Sequence, residues 1–131
     1  MRFLLDTHVW VWSITAPEKL NSVTLSALRD TSNTLFLSLI SVWEALLLLE
    51  KGKIPVNLPP MPWVEYALYA HPMVEAPLTH EVAIRSRQLQ LPHQDPADRF
   101  LAASAVEYGL RLMTADSNLL NSKELVTWQV A

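Results

Sequence analysis

Cysteine is absent from this sequence, which excludes disulfides and any cysteine-ligated zinc centre and suits a reducing compartment. Glycine is nearly absent too. Two glycines in 131 residues are too few for a phosphate-cradling loop. There is no G-x-S-x-G and no H-E-x-x-H, so neither a serine-hydrolase elbow nor a zinc-protease helix is on offer. Positive charge is not in excess. A formal net charge of −3 excludes indiscriminate coating of nucleic acid, yet leaves room for RNA in a local groove where metal ions offset the phosphates. The most membrane-like run, "LFLSLISVWEALLLL" at residues 35–49, contains Glu44 and falls short of the roughly 20 apolar residues of a spanning helix. It reads as a buried strand plus helix. "MRFLL" meets Asp6 too soon for the apolar core of a secretory signal, so the expectation is a cytoplasmic chain with no membrane attachment.

What is present is a large apolar fraction. With 50% hydrophobic and 18% charged residues, disorder is excluded, and the length predicts one domain, residues 1–131, with a proper core. "RFLLD" reads as a short buried strand ending at Asp6. Residues 7–13 fit either a strand, from the alternation of Val9 and Val11 with Trp10 and Trp12, or a short helix. "NSVTLSALRDTS" carries a cap residue and apolar positions at helical spacing, and "TLFLS" is a strand. Ser41 is expected to open a helix ending near Gly52. A helix starts at Pro62, "MVEAPL" supplies a third strand, and Thr79 caps a helix through about Gln90. Asp95 opens a helix that Gly109 terminates. "RLMTA" and "VTWQV" are the remaining strands. Strands separated by helices predict an α/β domain with a mainly parallel sheet, whose sites lie beyond the carboxyl ends of the strands.

Four acids fall at such places. Asp6 ends the first strand and Asp116 follows the fourth. Glu44 and Asp98 are expected in the first turns of two helices. Each has a plainer role. Ser41 and Glu44 form a capping-box pattern, Asp95-Pro96-Ala97-Asp98 is good helix-start chemistry, and Asp116 suits a turn before "SNLL". Asp6 resists such a reading, because a carboxylate ending an apolar strand is partly buried and buried charge is costly unless paired. Several carboxylates converging without cations repel one another. A hard divalent cation removes that cost, and carboxylate with water is the environment that magnesium and manganese prefer. Capping and ligation are compatible, since one oxygen can do each. By position Asp95 is the N-cap and Asp98 the ligand.

"LLDTHVWVW", "SVWEALLLLEKGKI", "HQDPADRFLAASA" and "LMTAD" together resemble the successive motifs of the PIN-domain ribonucleases, in particular the VapC-type toxins of prokaryotic toxin–antitoxin pairs. Each motif alone is weak, but all four in order across nearly the whole chain are specific. The resemblance implies a PIN-like α/β/α sandwich, Mg²⁺- or Mn²⁺-dependent cleavage of RNA, inhibition by an antitoxin laid across the active-site groove, and often a homodimer. It also implies an acidic site at Asp6, Glu44, Asp98 and Asp116; in such a site Glu44 or Asp116 is the candidate to orient the attacking water. Ser117 and Asn118 stand where some members carry a further acid, so one or two metals remain open.

Around the acids, Thr7 and Thr114 are candidates to bond a ligated water or a phosphate, or else packing residues. His8 is a candidate substrate contact, and His93 reads as an exposed loop residue. Lys51, Lys53, Arg85, Arg87 and Arg99 are candidate phosphate contacts, or else ordinary surface charges. Trp10, Trp12 and Trp43 read as core, although tryptophan also serves partner surfaces. Two other classes fit less well. A receiver-like, Mg²⁺-binding phosphoacceptor domain needs paired acids early, where only Asp6 stands. A non-catalytic binding domain would use every acid as a cap.

Overall fold

The computed structural model describes residues 1–92 and 94–131. The described residues form a five-stranded sheet of β1 (Arg2–Leu5), β2 (Thr34–Ser38), β3 (Val74–Ala76), β4 (Arg111–Thr114) and β5 (Thr127–Gln129). All neighbours pair in parallel, in the order β3-β2-β1-β4-β5. Parallel neighbours require long crossovers. These are provided by α1 (Thr7–Thr15), α2 (Ser22–Arg29), α3 (Leu39–Glu50), α4 (Pro60–Ala70), α5 (His80–Gln88), α6 (Pro96–Tyr108) and the short α7 (Ser117–Leu120).

The inner strands β1, β2 and β4 are mostly apolar because both faces of the sheet are covered there. Phe3, Leu5, Leu37 and Met113 pack with Val9 and Trp10 of α1, Ala45 and Leu49 of α3, and Trp63, Val64 and Ala67 of α4. Leu4 and Leu112 face the other way, onto Val82 of α5 and Leu101, Ala102, Ala103 and Ala105 of α6. The small alanines let α6 lie close to its neighbours. Burying one leucine in such a layer is worth about 1.5–3 kcal/mol. The α/β/α sandwich expected from the resemblance is the architecture found.

Most helix starts lie where the sequence places them. Asn21 accepts the Thr24 N–H at 2.8 Å, Thr79 the Val82 N–H at 3.3 Å and Asp95 the Ala97 N–H at 2.9 Å. Gly109 ends α6 at φ 63°, a left-handed conformation that glycine adopts without a Cβ penalty. Residues 7–13 are helical. Thr7, Val9, Trp10 and Val11 are all buried, and a helix covered on most sides shows no clear apolar stripe.

One start differs. Ser38, not Ser41, caps α3, its hydroxyl accepting the Ile40 N–H at 3.1 Å. The strand passes into the helix without a linker, so the helix begins a turn early. Ser41 is fully buried within it, and Glu44 lies in the second turn, where it can cap nothing. The capping-box reading of Ser41 and Glu44 is therefore corrected. Smaller shifts occur at α4, which starts at Pro60, and at α5, which ends at Gln88.

Strand order positions the site. The chain leaves β1 on one side for β2 and β3, then crosses to the other side of β1 for β4. The carboxyl ends of β1 and β4 thus flank the switch point, where open α/β sheets form their ligand crevice. Receiver domains have the order 2-1-3-4-5, so the receiver-like alternative does not fit this sheet. No helix among the described residues is long and apolar enough to cross a membrane.

Candidate active site

Asp6 connects β1 directly to α1. Its N–H donates to the Met113 carbonyl at 3.0 Å and its own carbonyl accepts the Trp10 N–H at 3.1 Å, so the backbone is held from both sides. The side chain is 7% exposed. Across the crevice, the Thr114 hydroxyl donates to Asp6 Oδ2 at 2.7 Å and accepts the Asp116 N–H at 3.0 Å. Thr114, itself fully buried, therefore positions both acids. Register explains the meeting, since Leu5 lies opposite Met113 and the next residues of the two strands fall side by side. Asp116 Oδ1 accepts the N–H groups of Asn118 and Leu119 at 2.8 and 3.2 Å, which fixes the carboxylate and realises the expected turn-capping role.

The Asp6 carboxyl titrates above the ordinary aspartate range. Burial is the largest cause, because it penalises the charged form. The Thr114 hydroxyl, the His8 charge and the His8 backbone amide pull the other way, and the Asp116 charge adds to the rise. Asp6 and Asp116 thus repel each other across the crevice.

The other acids approach from the helices. Helices α3 and α6 begin at the carboxyl edge of the sheet. The Thr7 hydroxyl donates to Ser41 Oγ at 2.9 Å, a buried bond that fastens α3 to the residue following Asp6. Glu44, three residues after Ser41, is on the same helix face. It is half-buried and lines an open groove of about 580 Å³ with Asp95, Trp43, Leu47 and Leu78. Asp98 is half-buried in the first turn of α6, as expected. Among the described residues, no group of three or more His, Cys, Asp or Glu side chains closes to a metal-holding cluster. The pair brought together is Asp6 and Asp116.

Four expected contacts take other roles. Arg99 is 5% exposed, with Nε donating to the Ser86 carbonyl at 2.9 Å and Nη2 to the Leu89 carbonyl at 2.8 Å. Its guanidinium fastens α6 to the end of α5 and is buried rather than offered at the surface. The signal was in the sequence, since Ala102 and Ala103 at i+3 and i+4 put Arg99 on the apolar face. Arg85 pairs with Glu107 at 2.9 Å, likewise between α5 and α6. Thr7 and Thr114 spend their hydroxyls on Ser41 and Asp6 rather than on a phosphate. By contrast His8, Lys51, Lys53 and Arg87 are exposed. The expectation for His93 lies outside the described residues.

An oxygen-only donor set suits a hard divalent cation. Asp6 adds a specific reason, being a buried carboxylate that enters no ion pair with a lysine or arginine among the described residues.

The PIN domain family model matches residues 3–124. The chain belongs to the PIN domain family. Within it, Ribonuclease VapC22 of Mycobacterium tuberculosis is 32% identical over 119 residues, covering 88% of each chain. Two crystal structures share the fold. VapBC2 from Rickettsia felis, bound to a DNA fragment from its promoter, superposes with a TM-score of 0.76 at 15% identity over 100% of both chains. VapBC-5 from Mycobacterium tuberculosis, described as a member of the VapBC family of toxin–antitoxin systems, gives a TM-score of 0.64 at 16% identity over 98% of both chains. PIN membership agrees with the resemblance that the sequence motifs carry in their order.

Proposed function

We propose that this PIN-domain chain is a divalent-metal-dependent endoribonuclease, the toxin of a toxin–antitoxin pair, and that it cuts RNA phosphodiester bonds at the crevice between β1 and β4. The observation that carries the reading is the Asp6–Thr114–Asp116 arrangement at the switch point. The 32% identity to a protein named a ribonuclease, across 88% of both chains, supports it. Asp6 and Asp116 would hold Mg²⁺ or Mn²⁺ through the oxygens that Thr114 and the α7 cap leave available, with Asp98 and Glu44 completing the acidic site. The ion, when bound, supplies an acidified water and offsets charge on the phosphoryl oxygens. Thr114 keeps the two aspartates aligned. Glu44 caps no helix and enters no ion pair among the described residues, so its carboxylate is available to orient the attacking water. As a toxin the chain would act in the cytoplasm, as a homodimer, under control of an antitoxin protein.

The reading is tested with a labelled single-stranded RNA. Cleavage is expected with Mg²⁺ or Mn²⁺ and is lost on adding EDTA. An RNA left intact under all metal conditions would support a binding domain instead. Thr114→Val removes the bond to Asp6 and the acceptor for Asp116 N–H while keeping the shape. It is expected to lower kcat about 10–100-fold, the usual effect of losing a group that orients metal ligands, and an unchanged kcat would remove Thr114 from this role. Glu44→Gln is expected to lower cleavage with a melting temperature within about 2 °C of the parent, since the amide keeps the shape of the half-buried side chain and no cap or ion pair is lost. Full activity in that protein would free Glu44 of any role in the reaction.

A further inference from the structure

We propose that His8, Trp12 and Lys19 form a track that carries single-stranded RNA away from the cleavage position. The proposal rests on the ribonuclease reading and adds a substrate-binding surface to it. His8 is exposed, two residues beyond Asp6. One turn further along α1, Trp12 lies with its ring 5.9 Å from the His8 ring, tilted by 57°. Beyond Trp12, in the 3₁₀ turn Pro17–Lys19, the Lys19 ammonium sits 5.3 Å from the Trp12 ring centroid. The three side chains make a continuous strip of ring, ring and cation that begins beside the buried aspartate.

Each part has a physical reason to be there. Trp12 packs against the core, so it is a fixed support rather than a mobile surface group. It backs the outer His8 ring and holds the Lys19 ammonium by cation–π attraction. Lys19 enters no ion pair among the described residues, which leaves its charge for an incoming anion. Two aspartates cancel the charge of one divalent ion, so the phosphates flanking the cut need a cation some distance away. Rings that accept a base face, next to a cation that accepts a phosphate, are how single strands are held without sequence readout. A base adjoining the cut would stack on His8, and a phosphate further along would meet Lys19.

The test measures binding of a fluorescein-labelled single-stranded RNA by anisotropy in an Asp6→Asn background, which blocks cleavage, across a range of salt. Lys19→Ala is expected to weaken binding about 5–10-fold and to lower the slope of log K against log salt by about 0.7, the loss of one phosphate contact on a single strand. Lys19→Arg restores both. His8→Ala weakens binding several-fold, and His8→Phe, which keeps a ring, restores it. Without the background change, Lys19→Ala raises KM and leaves kcat unchanged. Parent-like affinity and slope in Lys19→Ala and His8→Ala would overturn the track while leaving the nuclease standing, provided the unaltered protein still cuts the RNA. The track is equally overturned if these variants keep RNA affinity and lose only binding to the antitoxin. An unaltered protein that neither binds nor cuts RNA removes the ribonuclease reading and the track together.

Discussion

Asp6→Asn is expected to abolish most RNA cleavage, with a fall of at least on the order of 100-fold, beyond the 10–100-fold typical of residues that only support a metal ligand. The same change should stabilise the metal-free protein. Asp6 is buried, and that burial raises its carboxyl above the ordinary aspartate range. The folded state therefore binds this proton more tightly than the unfolded chain does. Such a group contributes stability that is fully present below the unfolded value of about 3.9 and is lost as the pH rises through the folded value. At neutral pH the ionised carboxylate is a burden that asparagine removes, while the amide oxygen can still accept from Thr114. The melting temperature should rise at pH 7, and the advantage should shrink on acidification. The rise produced by Mg²⁺ in the parent follows from binding to the folded state alone, and it should largely disappear in Asp6→Asn. A variant that is less stable at pH 7, or that keeps the full Mg²⁺ shift, would contradict the place given to Asp6.

The second large effect concerns Arg99. Arg99→Leu leaves the buried carbonyls of Ser86 and Leu89 without their charged donors. Each unsatisfied buried acceptor costs about 1–3 kcal/mol, so the loss should be about 3 kcal/mol, or roughly 10 °C in melting temperature for a chain of this size. Arg99→Lys should also be destabilised, because a single ammonium cannot reproduce a planar fork bonding two carbonyls. Measured on the protein that remains folded, KM for RNA should be unchanged in both. Parent-like stability with a raised KM would instead restore Arg99 as a phosphate contact.

These two residues also mark where the sequence was legible. Asp6 was readable because an acid directly after an apolar strand has few structural uses, and the parallel-sheet rule assigns that edge a function. The strands themselves were readable as short apolar runs, and several helix starts followed from Asn21, Thr79 and Asp95 as local caps. The parts that were not legible depend on long-range placement. Thr114 becomes the hub of the site only through the register of β4 beside β1, which no local pattern encodes. Ser41 matched a capping box, yet the strand before it ran straight into the helix, and the buried Thr7 hydroxyl took Ser41 as a partner. Arg99 was read by its charge when its spacing to Ala102 and Ala103 placed it on the covered face. Residues 7–13 fitted a strand as well as a helix because α1, covered on most sides, shows no clear apolar stripe. Helix α7, at four residues, is too short for any period.

The central claim is that Asp6 and Asp116 hold a divalent cation between them at the β1–β4 crevice. Crystals of the protein soaked in Mn²⁺ and measured for anomalous scattering test it most directly. The expected result is an anomalous peak within bonding distance of both carboxylates, lost in crystals of Asp6→Asn. A peak elsewhere, or none at all in protein that still cuts RNA in Mn²⁺, would contradict it.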